Sequence, residues 1–381
     1  MEKLGIGIIG CGNISSAYLK AMAAFPILDI RGIADLNRSL AEERAAEFKV
    51  EARNVADLLA DPSIELIVNL TVPKAHVTVA MQALEAGKHT YSEKPLATDF
   101  ADGHKLVAMA REKGLRIGAA PDTFLGGSHQ TARAIVDSGV LGTPVGGTAT
   151  FMCPGHERWH PNPDFYYDVG GGPMLDMGPY YITDLVNLLG PVSKVAGFAT
   201  AARKERTITS EARNGERIPV RVPTHVAGIM AFENGAVVQI GMSFDVAGHR
   251  HVPLELYGTE GTLIVPDPNH FGGQIELLKK GGAFEQTATS EPYADGNYRS
   301  IGVADMAHAI RSGRPHRANG DLALHVLEVM EAFHKAADTG TTVSISTKTE
   351  RPAPLSESLV DGRIGRYRIN RIRRSSTCAR H

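Results

Sequence analysis

The chain has 381 residues, 43% apolar, 6% aromatic and 22% charged, with 40 Lys and Arg against 42 Asp and Glu. That composition excludes a disordered or fibrous chain and leaves room for two domains. A formal charge of −2 gives no electrostatic reason to expect nucleic acid or a membrane as partner.

The first 120 residues alternate between two hydrophobic periods. Residues 6–9 form a short apolar run, followed by a helical face of Ile14, Ala17, Tyr18, Ala21, Met22 and Phe25. Strands are expected at 28–34, 64–70, 89–92 and 115–119, with helices at 38–48, 75–86 and 99–113. Strands alternating with helices imply a doubly wound parallel sheet, a Rossmann-type α/β domain spanning 1–121. After Pro121 the pattern changes. A helix is expected over 124–138, and then strands joined by short turns, with Glu233-Asn234-Gly235 the strongest hairpin signal. The second domain, 122–345, is therefore expected to be α/β with a large, open, mostly antiparallel sheet, closed by helices near 301–312 and 322–337. The remainder, 346–381, is read as a basic, disordered tail. From Arg363 onward it holds seven arginines and no acid, which leaves 33 bases against 42 acids in the rest. Three cysteines are too few for a disulfide framework, no apolar run has the length of a membrane span, and no basic leader precedes the first strand. A cytoplasmic protein is expected.

Gly10-Cys11-Gly12-Asn13-Ile14-Ser15 joins the first strand to the first helix. Such a turn lets backbone amides at a helix N-terminus approach a pyrophosphate. Asp35, 23 residues after Gly12, ends the second strand, where an acid accepts hydrogen bonds from a ribose. Its charge repels a 2′-phosphate, so NAD is expected, while Arg38 offers that phosphate a partner and keeps NADP open. Glu93-Lys94-Pro95 lies at the carboxyl edge of the sheet, where α/β sheets bind ligands. A lysine there could exchange a proton if burial or a neighbouring cation lowered its pKa. On spacing alone, a solvated lysine in a turn is the plainer reading. The run 170–184 is rich in Gly and Pro and then helical over 180–189. A helix beginning near Met177 would put Asp176 at its cap and Tyr180 one turn on. Between these segments, His156, Trp159 and His160 stand in a polar, aromatic loop suited to a sugar ring. An ordered loop with Trp159 packed on the core accounts for it equally well. His249 and His251 alternate as on a strand, but no third ligand stands at metal-binding spacing, and no metal is expected.

Taken together, these segments resemble the glucose–fructose oxidoreductase / inositol dehydrogenase / rhizopine-catabolism (Gfo/Idh/MocA) family over residues 4–342. The resemblance rests on the glycine turn, on Thr71-Val72-Pro73 with His76, on Glu93-Lys94-Pro95, on 170–184 and on Arg314-Pro315-His316-Arg317. It implies oxidation or reduction of a sugar, anhydrosugar or cyclic polyol hydroxyl with a nicotinamide cofactor, by a homo-oligomer (dimer or tetramer). Lys94 then matches the catalytic lysine and Asp176 the aspartate that orients substrate or lysine. Thr71, Pro73, His76 and Glu93 fall in segments that surround the cofactor. The sequence departs from the family where its inositol- and glucose-type members carry histidine, four residues after the aspartate, because Tyr180 stands there. A neutral phenol is a poor base, so the proton is expected to pass through Lys94 or a histidine of another loop, with Tyr180 positioning the reacting hydroxyl. Two other readings remain at this point. One is a glycoside hydrolase that uses bound NAD transiently; the other is a regulatory protein that senses NAD or sugar without turnover.

Overall fold

The computed structural model describes residues 2–355 together with Leu359. Five parallel strands, β1 (Leu4–Ile9), β2 (Leu28–Ala34), β3 (Leu66–Asn69), β4 (His89–Ser92) and β5 (Ile117–Ala119), pair in the order β2-β1-β3-β4-β5. Helices α1 (Asn13–Met22), α2 (Arg38–Phe48), α3 (Val55–Ala60), α4 (His76–Glu85) and α5 (Phe100–Glu112) make the crossovers. β1 and β3 are buried along their whole length, as strands covered by helices on both faces must be. Helix starts follow the side-chain chemistry: Asn37 accepts from the Leu40 amide to cap α2, and Asp99 accepts from the Asp102 amide to cap α5.

The second half runs α6 (Gly127–Asp137), β6 (Pro144–Met152), α7 (Pro173–Leu189), β7 (Val192–Thr200), β8 (Glu205–Thr207), β9 (Arg217–Pro219), β10 (His225–Phe232), β11 (Val237–Ser243), β12 (Leu254–Gly258), β13 (Gly261–Val265), β14 (Ile275–Lys279), β15 (Phe284–Thr287), α8 (Ile301–Ser312), α9 (Gly320–Thr339) and β16 (Val343–Ser344). Nine of these strands form one sheet in the order β15-β14-β13-β12-β6-β11-β10-β7-β16. Every pairing in it is antiparallel except β6 with β11. α7 and α9 cover one face. Gly197 and Gly228 are needed there, because a Cβ on either would stand within 3 Å of the Phe333 ring of α9. The opposite face leaves Phe198, Ile229, Val237 and Tyr257 exposed. β8 and β9 make a separate two-stranded sheet.

Three expectations need correction. The helix expected over 124–138 is broken, because Gly126 is extended and a Cβ on it would lie 2.4 Å from the Phe271 carbonyl oxygen. A 3-10 turn, Thr123–Leu125, precedes α6 instead. α7 begins at Pro173, whose ring presets the first helical φ, and the Asp176 amide already bonds the Gly172 carbonyl. Asp176 therefore lies inside the first turn and does not cap the helix. Finally, the body does not stop at 345. Glu328 accepts the Ser346 and Thr347 amides, Arg133 donates to the Pro352 carbonyl, and the Leu355 amide donates to Gln130. Leu355 and Leu359 are buried. The arginine-rich stretch from Arg363 lies outside the described residues.

The two sheets share one core. α9 packs on α7, on β7 and on α5 of the first domain. The segment before α9 returns to the first sheet, where the Ala119 amide bonds the Ala318 carbonyl and Gly118 bridges to Asn319. That segment covers the free edge of β5. The cleft between the sheets is thus held from both ends of the chain.

Candidate active site

The glycine turn is built to receive an anion. Gly10 has φ +106° and packs against the Leu70 and Thr71 backbone, where a Cβ would come within 2.7 Å. Gly12 has nothing within 4 Å of where its Cβ would be, and it leads into α1 with no side-chain cap and no acid in the first turn. Asn13 and Ile14 open that helix, so its first amides are unclaimed by side chains. Asp35 accepts from the Cys11 amide and from the Asn37 amide, both at 2.8 Å. Its carboxylate is fixed beside the turn with acceptor capacity to spare. Leu36, fully exposed, and Val72, mostly exposed, flank the same region with apolar surface. These features fit a dinucleotide: amides for the pyrophosphate, an acid for the ribose, apolar side chains for a base.

From this turn a cleft of about 430 Å³ runs between the two sheets, lined by Ile14, Thr71, Pro73, Glu93, Lys94 and Pro95 on one wall. Asp176, Tyr180, His156, Trp159, Tyr166, Phe165, Asn269 and Arg299 contribute to the other. At its floor the Lys94 ammonium donates to Asp176 Oδ1 at 2.8 Å and to the Asp176 carbonyl at 2.7 Å. Asp176 Oδ2 meets His156 Nε2 at 3.1 Å, and the Trp159 indole N–H donates to His156 Nδ1 at 3.1 Å. An indole nitrogen only donates, so Nδ1 is the acceptor and Nε2 carries the proton that faces Asp176. The four side chains form one network whose hydrogen bonds converge on the Asp176 carboxylate. The Lys94 ammonium also sits 5.1 Å from the centroid of the Tyr180 ring.

Charges in the cleft follow from this arrangement. Burial alone would push the Lys94 ammonium down, but the Asp176 carboxylate and the Tyr180 hydroxyl carry it above its ordinary value. Burial would raise the Asp176 carboxyl, but Lys94 and His156 hold it at about 2. Burial raises the Tyr180 phenol, with Lys94 and Arg299 pulling against it. The condition on which Lys94 was to exchange a proton, a pKa lowered by burial or a neighbouring cation, is therefore not met. Its nearest partner is an anion, and it stays an ammonium.

The remaining sequence-predicted residues divide. Glu93 is buried; it accepts from the Tyr18 hydroxyl at 2.6 Å and from the Lys94 amide at 2.9 Å, which fixes the loop that presents Lys94. Thr71 is anchored to Asn69 Oδ1 at 2.7 Å, and Pro73 opens a 3-10 turn at the cleft wall. Trp159 is 59% exposed with its ring face at the rim, so the core-packed alternative does not hold. Three residues are not in the cleft wall. His76 is fully buried between the Pro95 and Thr71 carbonyls, at 2.7 and 3.0 Å, and ties the two cofactor-side loops together from behind. Arg38 bonds Glu42 and the Ala52 carbonyl in a separate depression with Arg53 and Asp57, so its guanidinium is engaged elsewhere. His160 accepts from the Asn162 amide and supports the edge of Trp159. His249 and His251 stack 5.9 Å apart, and among the described residues no group of three metal-binding side chains gathers.

Sequence reasoning missed Tyr166, Asn269 and Arg299. The last two sit in irregular loops with no motif and reach the cleft only through the tertiary fold. It also missed the support behind the aromatic loop. Arg206 of β8 is fully buried, paired with Glu157 at 3.0 Å and Asp245 at 2.8 Å, and donates to the Pro154 carbonyl. Glu157 follows His156 directly, so this buried cluster sets where the His156 loop runs.

Residues 4–120 match the family described as "Oxidoreductase family, NAD-binding Rossmann fold", and residues 129–264 match "GFO/IDH/MocA C-terminal domain". A dTDP-3,4-didehydro-2,6-dideoxy-alpha-D-glucose 3-reductase of Saccharopolyspora spinosa is 27% identical over 352 residues, covering 88% of this chain and 98% of that one. A levoglucosan dehydrogenase of Pseudarthrobacter phenanthrenivorans is 25% identical over 328 residues, covering 78% and 83%. Among solved structures, a levoglucosan dehydrogenase in complex with NADH and L-sorbose superposes with a TM-score of 0.80 at 23% identity, covering 91% of this chain and all of that one. No helix among the described residues is long and apolar enough to cross a membrane.

Proposed function

The chain belongs to the Gfo/Idh/MocA oxidoreductase family, and from that premise we propose that it transfers a hydride between NAD and a hydroxyl-bearing carbon of a sugar or anhydrosugar ring. One observation carries the reading: the Lys94 ammonium, the Asp176 carboxylate and the Tyr180 ring meet at the floor of a cleft that begins at an uncapped, glycine-bordered helix N-terminus. The names of the relatives, a sugar 3-reductase and an anhydrosugar dehydrogenase, support the substrate class.

NAD, when bound, supplies the hydride chemistry; the protein binds, orients and handles the proton. The amides of Gly12, Asn13 and Ile14 would hold the pyrophosphate, Asp35 the adenosine ribose, and Thr71, Pro73 and Glu93 the wall at the reactive end. Lys94, kept charged by Asp176, donates to the substrate oxygen and stabilises negative charge on it. Tyr180 is the neutral hydroxyl beside that ammonium, and it exchanges the proton, a role the sequence reading had given to Lys94 or a histidine. Trp159 and Phe165 offer ring faces to the sugar and narrow the water access.

The test is a screen for NADH formation or consumption across sugars, anhydrosugars, inositols and glycosides. Turnover coupled to NADH supports the reading. Sugar released from glycosides without net NADH, or NAD bound with no turnover on any member, would replace it with the hydrolase or the sensor. Cofactor choice follows from the engaged Arg38 and the free charge of Asp35. Asp35→Ser is expected to shift the ratio of kcat/KM from NAD toward NADP, and an unchanged ratio would mean that Asp35 does not meet the ribose.

The bare face of the nine-stranded sheet is proposed to be covered by a second copy. Phe198, 79% exposed, and Ile229 stand on adjacent strands there, an apolar patch of the kind self-association buries. In the doubly substituted Phe198→Glu/Ile229→Glu chain, light scattering should report a smaller species than in the parent. An unchanged mass would place the interface elsewhere. The free thiols of Cys11 and Cys153 accord with a cytoplasmic setting.

A further inference from the structure

Arg299 enters the cleft from the loop before α8 and is the second cation on its wall. Its Nη2 donates to Asn269 Oδ1 at 2.7 Å and to the Asn269 carbonyl at 3.3 Å, and its Nη1 to Asn297 Oδ1 at 3.4 Å. All of these partners are neutral. Among the described residues no carboxylate pairs with it, unlike Lys94. Glu93 and Asp122 favour its charge without an ion pair to it, so the guanidinium keeps donor capacity for a charge that appears in the cleft.

Arg299 and Tyr180 line the same cleft, and the guanidinium pulls the Tyr180 phenol down against its burial. The placement is enforced from behind. The next residue, Ser300, has φ +128°, a conformation that L side chains avoid, and is pinned by its amide to Asp122 Oδ2 and by its hydroxyl to the Tyr18 carbonyl, both at 3.0 Å. Gly302 donates to the same Asp122 oxygen. Strain held in place by a buried acid puts Arg299 where it is.

We propose that Arg299 is a positioning residue of the reaction, holding the Tyr180 oxygen and stabilising its phenolate while a proton passes between that oxygen and the substrate hydroxyl. The proposal rests on the oxidoreductase reading for the substrate, though not for the contact. In the oxidative direction the substrate O–H bond breaks and a new O–H bond forms from a phenolate lone pair. In the reductive direction the phenol returns that proton to the substrate oxygen. Tyr180 thus stands between two cations, Lys94 from the loop after β4 and Arg299 from the loop before α8. Glu93 and the burial of the ring oppose its ionisation; Tyr166 lines the same cleft, and Asp176 on its own helix is committed to Lys94.

The test needs neither substrate nor cofactor. A fluorinated tyrosine whose phenol ionises nearer neutrality is placed at position 180, and its phenolate absorbance is followed against pH with Arg, Lys or Met at position 299. Arg299→Met is expected to raise the midpoint by about one to three pH units, the range for loss of an adjacent opposite charge, and Arg299→Lys by less. In the unlabelled enzyme the same series should move the rise of kcat with pH upward while KM changes little. An unmoved midpoint in Arg299→Met protein with native circular dichroism overturns the proposal. A moved midpoint in a protein that turns over no substrate overturns the oxidoreductase reading and leaves the contact standing.

Discussion

Lys94→Ala should lower kcat at neutral pH by roughly 10²- to 10⁴-fold, and Tyr180→Phe should abolish the rise of oxidative kcat with pH. The two residues fail differently because their charges differ. Lys94 is held as an ammonium by a carboxylate at 2.8 Å, so it does not titrate near neutrality and contributes no pH limb of its own. Its removal takes away the cation facing the substrate oxygen and leaves the buried Asp176 carboxylate with His156 as its one remaining side-chain partner among the described residues. It also removes a charge that favours the Tyr180 phenolate, so the remaining activity should rise only at higher pH than in the parent. Tyr180→Phe keeps the ring under the ammonium and deletes the exchanging oxygen, leaving a low, flat profile. NAD affinity should change little in either, since neither residue belongs to the glycine turn. The measurement is kcat and its pH profile on the best substrate from the screen. A Tyr180→Phe enzyme that retains the parent's limb would return the proton to Lys94.

Arg206→Met is the substitution with the largest expected cost to stability, about 3–5 kcal/mol, the range for breaking a buried ion pair from one side. Arg206 is among the largest fully buried side chains and neutralises Glu157 and Asp245 together. Without it two carboxylates stay in the interior with incomplete hydrogen bonding. Denaturant midpoints should fall accordingly, and much of the loss should return when Glu157→Gln and Asp245→Asn are added, because the neutral amides no longer need the cation. Both constituents of the effect are read in the same unfolding experiment. A single variant as stable as the parent would show that the cluster is solvated.

Elements whose hydrophobic period is long and clean were legible before folding. The bounds of β2, α2, β4 and α8 coincide with the expectations because each is a regular run closed by its own caps or glycines. α7 starts earlier than expected because its first turn is written in Gly and Pro, which read locally as loop, although Pro173 at the first helical position presets its φ. The site divides the same way. Lys94, Asp176 and Tyr180 stand in short motifs with recognisable spacing. Arg299 and Arg206 lie far from any motif, and nothing local distinguishes them from surface arginines; their roles arise from loops brought together across the whole chain. His76 shows the converse: it sits in a motif at the cofactor loop, but its ring faces backbone carbonyls and lies beneath the surface where ligands bind.

The edge of β5 is sealed by residues near Ala318, some two hundred positions later in the chain. On a ribosome adding about 5–20 residues per second, that strand waits about 10–40 s for its cover. During that interval a nearly complete parallel sheet presents an open, hydrogen-bond-hungry side to whatever else is nearby. The domain made first is therefore closed only after most of the second has been made. The nascent N-terminal half, rather than the completed molecule, is the form in which that edge stands open to a neighbour's strand.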